Sequence, residues 1–216
     1  MKYAQSGLRL ERAGRDEAAA MGRTRGFDAD QMLTVIREQF WSHGYEGTST
    51  YDLMAATGLG KGSIYKAYGN KHELYLRTFD DYCGGLVAEA RQALAPEAGG
   101  APLERIEGYL LAVTGRMTRQ APPVGCYLTK ATVDVAAADK AVAKIAKDAY
   151  ENIASAIESA VREAQSAGEV GMEKDAKGLG YLLVSVVRGV DCLSRTRVAA
   201  DVLTATTQAA LAVLRA

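Results

Sequence analysis

The stretch from Thr48 to Lys71 constrains the fold of this chain more than any other part of the sequence. A Ser or Thr at positions 48–50 can cap a short helix, and Gly58 can end that helix in a left-handed conformation. A second helix can then run from Lys61 to Tyr68 after a short turn. Two short helices with this spacing predict a helix-turn-helix, which presents its second helix to the major groove of DNA.

The side chains of this stretch are suited to DNA. Small and polar residues at the start of the second helix can approach base edges, whereas tyrosine and lysine suit phosphate. A lysine at a helix N-terminus opposes the helix dipole, so a nearby phosphate explains Lys71 better than helix stability does. The predicted DNA-contacting residues are Thr48, Lys61, Gly62, Ser63, Tyr65, Lys66, Tyr68 and Lys71. Because two short helices around a glycine turn also occur in ordinary helical cores, spacing alone leaves that alternative open.

The same residues resemble a known family, the TetR-type transcriptional repressors. The resemblance covers about residues 27–76 and implies an all-α protein, in which a three-helix helix-turn-helix DNA-binding head precedes a helical ligand-binding and dimerisation body, about nine helices in total. The residues that carry it are Gly44-Tyr45, Thr48, Leu53, Gly58, Lys61-Gly62-Ser63-Ile64-Tyr65 and Asn70-Lys71-x-x-Leu74.

The charge of the chain is balanced, with 26 basic and 26 acidic residues. No overall positive field therefore attracts nucleic acid, and DNA affinity has to come from a local patch. Between Thr57 and Phe79 four basic residues stand against one acidic residue, Glu73. The sequence predicts a modest basic patch in the head.

Cysteine usage and hydropathy point to the cytoplasm. The three cysteines are widely spaced and odd in number, which does not suit a secreted disulfide framework. No apolar run reaches the roughly 20 residues that span a bilayer, and residues 1–20 lack the apolar stretch of a signal peptide. We expect a cytoplasmic protein without a membrane partner.

Three segments are predicted along the chain. Residues 1–26 form an N-terminal extension and basic arm, 27–72 the helix-turn-helix domain, and 73–216 the ligand-binding and dimerisation domain. Arg23 and Arg25 in the arm are suited to a minor groove or to phosphates, although a tail with incidental arginines is an equal alternative. The first helix is predicted from Asp28, its N-cap, to His43. The family resemblance makes Met21 a candidate natural start.

The body shows helical periodicity and no convincing strand pattern. Capping residues and glycines mark most of the boundaries, and the prolines between 96 and 102 indicate a linker. The predicted helices run from Lys71 to about Leu94, Leu103 to Arg119, about 126 to near Ala138, Asp139 to about Ala167, Asp175 to about Arg195, and Ala199 to Leu214.

Apolar side chains with polar handles in the body predict a small-molecule pocket between helices, as the family resemblance also implies. The candidate ligand-binding residues are Phe79, Tyr82, Tyr109, Met117, Cys126, Tyr127, Tyr150 and Arg188. Each is also compatible with an ordinary core position. Asp191 can form an ion pair either with Arg188 or with Arg195. The effector itself is unidentified.

Cys126 lies in the sequence Gly-Cys-Tyr-Leu, which resembles a motif of one branch of the family. At a helix N-terminus its thiolate would be stabilised and could sense oxidants or electrophiles. The alternative is a small buried hydrophobic residue at a helix turn.

Catalysis and metal binding find little support in the residue pattern. His43 and His72 both lie in the predicted head, away from any Ser/His/Asp arrangement. Neither C-x2-C nor H-x3-H spacing occurs, and no Walker-type loop is present. We expect no enzymatic activity, no cofactor and no bound metal.

The last two helices are apolar over more than one face, which predicts both a core contact and a dimer contact. A homodimer through a four-helix bundle would set two recognition helices about 34–36 Å apart, or a multiple of that, matching a palindromic operator. Repression by such a dimer, with release by an effector, is the predicted function. The alternative is a non-DNA-binding α-helical scaffold or small-molecule-binding module.

Overall fold

The structure, a computed structural model, describes residues 31–119 and 124–215, and all regular secondary structure within these ranges is helical. The predicted all-α class is confirmed, whereas the extension, the basic arm and the Asp28 cap lie outside the described residues. The helices are α1 (31–47), α2 (Thr50–Thr57), α3 (Lys61–Tyr68), α4 (Lys71–Leu94), α5 (Pro102–Arg119), α6 (Tyr127–Asp134), α7 (Lys140–Ser166), α8 (Ala176–Ser194) and α9 (Ala200–Arg215), with a 3-10 turn at Pro96–Ala98.

Local capping explains several of the helix boundaries. Ser49 and Asp52 form a capping box at α2, and Asn70 and Glu73 form another at α4. Gly58 ends α2 with a φ of 69°, the left-handed conformation that the sequence predicts.

Two helix ends differ from the prediction by more than one residue. Helix α1 continues to residue 47 even though Gly44 has a φ of 79°. Thr48 stabilises the helix end that follows this glycine. Its amide donates to the Tyr45 carbonyl at 3.4 Å, and its hydroxyl donates to the Gly44 carbonyl at 2.7 Å. Helix α6 ends at Asp134, and residues 135–138 form turns that lead into the Asp139 cap of α7.

The head and the adjoining part of the body share one hydrophobic cluster. Ile36, Phe40, Leu53 and Ile64 are fully buried between α1, α2 and α3. The same cluster continues through α4, α6 and α7, where its buried members include Leu74, Tyr75, Phe79, Cys83, Tyr127, Leu128, Ala131, Val142, Ala146 and Ala149. The apolar core therefore crosses residue 72, where the sequence predicts a domain division.

A second hydrophobic cluster lies between the later half of α4 and helices α5, α7, α8 and α9. Helix α7 packs on both α4 and α8. At its crossing with α8, a Cβ on Gly180 would lie 2.6 Å from the Ala154 carbonyl oxygen, so this glycine permits the close approach. No described helix combines the length and the apolar content needed to cross a bilayer.

Replacing Gly180 with alanine should destabilise the fold by about 1–3 kcal/mol, because the new methyl group meets backbone on α7. Gly108→Ala is the matched control, since a Cβ there meets nothing within 4 Å and alanine favours a helix by about 0.5–1 kcal/mol. Urea unfolding of the variants checks the prediction. A Gly180→Ala protein as stable as the wild type would contradict this account of the crossing.

Candidate nucleic-acid interface and internal cavity

The start of α3 is turned toward solvent. Lys61, Gly62, Ser63 and Lys66 are exposed, whereas Ile64 on the opposite side is fully buried in the head. A helix held by one buried side chain and exposed along its first turn can enter a DNA groove without losing its core contact.

Helices α2 and α3 are joined by side chains on this same surface. The Tyr65 hydroxyl lies 2.5 Å from the Thr50 hydroxyl, and the Lys61 ammonium lies 5.9 Å from the centre of the Tyr65 ring. Tyr51 at the start of α2 is 76% exposed. Thr50 and Tyr51 are not among the residues that the sequence predicts for this surface, although both directly follow the α2 cap.

Two further cations of the basic patch lie over aromatic rings. The Lys71 ammonium is 4.4 Å from the centre of the Tyr45 ring, and the Arg77 guanidinium is 5.6 Å from the centre of the Tyr68 ring. Such cation–π contacts restrict the side chains before any partner arrives. The Lys71 ammonium thus lies against the Tyr45 ring at the N-terminus of α4.

Thr48 requires a correction, since the sequence places it among the DNA-contacting residues. Its side chain is fully buried, and its hydroxyl donates to the carbonyls of Gly44 and Gln39 at 2.7 and 3.2 Å. It stabilises the end of α1 and presents no hydroxyl to a phosphate.

The head contacts the body through hydrogen bonds at the C-terminal end of α1. The Trp41 indole donates to the Gly125 carbonyl at 2.9 Å. In the opposite direction, the Lys130 ammonium on α6 donates to the carbonyls of Trp41 and Ser42 at 3.0 and 2.9 Å. The segment around α6 therefore fixes the end of α1.

A hydrogen bond joins the first turn of α4 to the cap of α7. His72 Nε2 lies 2.5 Å from the Asp139 carboxylate, which also accepts the amides of Ala141 and Val142 as the cap of α7. Burial raises the pKa of Asp139, but the hydrogen bonds from His72 and the two amides outweigh it and hold the pKa below the ordinary value.

A cavity of about 200 Å³ lies in the body next to Trp41 and Gly125. Its described walls come from α1, α4, α5, α7, α8 and the segment before α6. The lining residues are Trp41, Tyr82, Leu86, Glu89, Tyr109, Val113, Arg116, Met117, Gly125, Cys126, Ile153 and Arg188. A recess lined by Tyr150 shares Tyr109, Val113, Ile153 and Arg188 with the cavity.

The cavity brings together part of the predicted ligand set. Tyr82, Tyr109, Met117, Cys126 and Arg188 line it, and Tyr150 lines the recess.

The prediction that Phe79 and Tyr127 contact a ligand needs correction, because neither residue lines the cavity or the recess. They are 0% and 1% exposed, and their ring centres lie 5.4 Å apart in the shared core. Tyr82, three residues further along α4 on the same side of the helix, does line the cavity.

Cys126 occupies the N-cap position of α6 and is 6% exposed. Its sulfur accepts a hydrogen bond from Arg188 Nη1 at 2.9 Å and lies 3.5 Å from the Tyr82 hydroxyl. Its amide donates to Asp191 at 2.8 Å, and Asp191 pairs with Arg195 at 3.2 Å. Of the two ion pairs that the sequence allows for Asp191, the structure contains the one with Arg195.

Replacing Asp139 with alanine should remove the α7 cap and the His72 contact together. Loss of a cap costs about 0.5–2 kcal/mol of unfolding free energy. Asp175→Ala is the matched control, because Asp175 caps α8 by accepting the Lys177 amide at 3.1 Å. Both variants should be less stable, but only Asp139→Ala should speed hydrogen exchange at the start of α4.

The Asp139 effect should also depend on pH with a definite sign. A carboxylate whose pKa is lowered by folding stabilises the protein fully above its unfolded pKa and loses that contribution as the pH falls. The difference in unfolding free energy between wild type and Asp139→Ala should therefore shrink below pH 3.8, the ordinary pKa of an aspartate.

The hydrogen-exchange comparison has its own negative outcome. Equal rates of exchange at the start of α4 in Asp139→Ala and Asp175→Ala would contradict a contact between His72 and Asp139.

The known proteins that this chain resembles are transcriptional regulators. The HTH-type transcriptional repressor ComR of Escherichia coli (strain K12) is 25% identical over 174 residues, 81% of this chain and 82% of ComR. A cysteine mutant of the TetR family regulator CifR, solved with 26-base-pair operator DNA, has a TM-score of 0.74 at 23% identity, covering 85% of this chain and 95% of its own. A TetR regulator from Chloroflexus aurantiacus J-10-FL has a TM-score of 0.78 at 23% identity, covering 88% and 95% of the two chains.

Two family models cover most of the described chain. The model of the bacterial regulatory proteins of the tetR family matches residues 32–78, which contain the helix-turn-helix. The model of the tetracyclin repressor-like C-terminal domain matches residues 102–210, half of the 216-residue chain. Together with the exposed α3 and the internal cavity, these matches lead to one conclusion: the chain belongs to the TetR family of DNA-binding transcriptional regulators.

Proposed function

We propose that this protein is a repressor that binds a palindromic operator as a homodimer and leaves it when a small molecule occupies the cavity. The observation that carries the proposal is the exposed first turn of α3, anchored from behind by the buried Ile64. The family membership of the chain supports it. Such a regulator acts where the chromosome is, so a cytoplasmic location is part of the proposal.

The proposed operator contacts divide into two groups. Lys61, Gly62 and Ser63 at the start of α3 would meet base edges and provide sequence preference. Tyr65, Lys66, Tyr68 and Lys71 would meet phosphates and fix the register. The aromatic ring under Lys71 restricts its ammonium, which lowers the entropy lost on binding phosphate.

The proposed dimer contact uses α8 and α9. Each of these helices has one buried face, with Leu183, Val187 and Leu211 in the core. Each also has exposed large apolar residues, which are Tyr181, Leu182, Leu193, Val202 and Val213, between 40% and 52% exposed. An apolar face shared by two neighbouring helices favours burial against a second copy in a four-helix bundle.

The proposed switch follows from where the cavity lies. Trp41 and Gly125 line the cavity and also form the hydrogen bond that joins head to body. An effector that binds better to one arrangement of this joint than to another shifts the population of head orientations. The spacing of two recognition helices in a dimer would change with it.

Operator binding should respond differently to the two groups of residues. Lys71→Ala and Tyr68→Ala should weaken binding about equally on all sequences, and Lys71→Ala should reduce the salt slope by about one. Changes at Lys61 or Ser63 should alter sequence preference, at about 1–3 kcal/mol for a good base contact. The measurement is a gel shift at several salt concentrations with DNA that flanks the gene.

Lys147→Ala is the control for these variants, because Lys147 is exposed on α7 and pairs with Glu151 at 3.5 Å. Its affinity and salt slope should equal those of the wild type. An unchanged slope for Lys71→Ala would refute the phosphate contact. Absence of any salt-dependent binding by the wild type would favour the non-DNA-binding scaffold or small-molecule-binding module instead.

Charge placed on the proposed dimer face should yield monomers. Val202→Glu and Ala209→Glu should each prevent dimer formation and abolish operator binding, because an unpaired carboxylate would be buried in an apolar interface. Val133→Glu introduces the same side chain on α6, at a residue 72% exposed, and should leave the dimer intact. Light scattering coupled to gel filtration measures the oligomeric state of each variant. A wild-type protein that is monomeric at micromolar concentration would contradict the proposed dimer.

A further inference from the structure

The cavity contains a positive charge without a carboxylate partner in the described chain. Arg188 uses Nη1 to bond Cys126 Sγ at 2.9 Å and the Thr129 hydroxyl at 3.4 Å. Among the described residues its Nε and Nη2 form no hydrogen bond, and Asp191, one turn away, pairs with Arg195 instead. A guanidinium that keeps two adjacent donors free can hold a carboxylate through two parallel hydrogen bonds.

The other charges on the cavity wall already compensate each other. Glu89 and Arg116 both line the cavity and form an ion pair at 2.5 Å. The described walls are therefore left with one net positive charge, at Arg188. A neutral effector would leave this charge without compensation in a confined site, which costs free energy.

A second polar group faces the same space. Tyr109 lines both the cavity and its recess, and its hydroxyl has no hydrogen-bond partner within the described residues. Burial raises the pKa of Tyr109 to about 12, so near neutral pH its hydroxyl keeps its proton and can donate. Arg188 and Tyr109 thus offer donors from two different helices.

The remaining walls are mostly apolar and the space is small. Leu86, Val113, Met117 and Ile153 line the cavity, and the aromatic rings of Trp41 and Tyr82 complete it. An apolar cavity of about 150 Å³ is large enough for benzene, so about 200 Å³ suits one ring or a short chain with a small polar group.

We propose that the effector of this protein is a small organic carboxylate, about the size of benzoate, whose anionic group binds Arg188 and Tyr109 while its apolar part lies against Leu86, Val113 and Ile153. This rests on the proposed function only in naming the cavity as the effector site. Carboxylate binding itself needs neither DNA nor an operator.

The test compares acids with neutral molecules of the same shape. Benzoate and benzamide form one pair, and hexanoate and hexanamide form the other. Binding to the DNA-free protein is followed by calorimetry and by the fluorescence of Trp41, the single tryptophan of the chain, which lines the cavity. In at least one pair the acid should bind about tenfold or more tightly than its amide, the usual effect of a charge-assisted hydrogen bond.

Two variants assign the effect to a residue. Arg188→Gln should abolish the preference for the acid. The double variant Glu89→Gln, Arg116→Gln removes one negative and one positive charge from the same cavity, so the net charge is unchanged. This variant should retain the preference for the acid. Circular dichroism establishes that each variant is helical before its binding is interpreted.

Three results would overturn the inference: no preference for the acid in either pair with the wild type, a preference that persists in Arg188→Gln, or one lost in the double variant. None of them bears on operator binding, which is measured separately by the gel shift. Conversely, a chain that fails to bind DNA could still show the full acid preference.

Discussion

Three hydrogen bonds in the second half of α1 join the head to the body beside the cavity, where the two parts also share one apolar core. The Trp41 indole donates to the Gly125 carbonyl, and the Lys130 ammonium donates to the carbonyls of Trp41 and Ser42 in the second half of α1. Because Gly125 and Trp41 also line the cavity, the space available to a ligand and the position of the helix-turn-helix depend on the same backbone segment. The buried aromatic rings of Tyr75 and Tyr127 pack next to this contact between head and body.

Local signals allow most of the fold to be predicted from the sequence. Capping is an interaction between residues two or three apart, so Ser49, Asn70, Asp139 and Asp175 mark helix starts without knowledge of the tertiary structure. The left-handed conformation at Gly58 is equally local. The helix-turn-helix follows directly, because its spacing is short and its residue types are specific.

The sites are less predictable, because they depend on which way each side chain faces in three dimensions. Phe79 and Tyr82 are both aromatic and both on α4, yet one is in the shared core and the other lines the cavity. Thr48 shows the same difficulty, since its hydroxyl is equally suited to a phosphate or to a helix end. The neutral pair of Glu89 and Arg116 joins residues 27 positions apart, and no local pattern indicates it.

Of the described residues that line the cavity, Trp41 alone belongs to the three helices of the head. Leu86, Val113, Met117 and Ile153 come from the body, so mutation can reshape the cavity while leaving the DNA-facing surface unchanged. This separation permits gene duplicates to acquire new chemical responses before their operators diverge. Position 41 is the exception, since a substitution there changes the lining and the attachment of the head in a single evolutionary step.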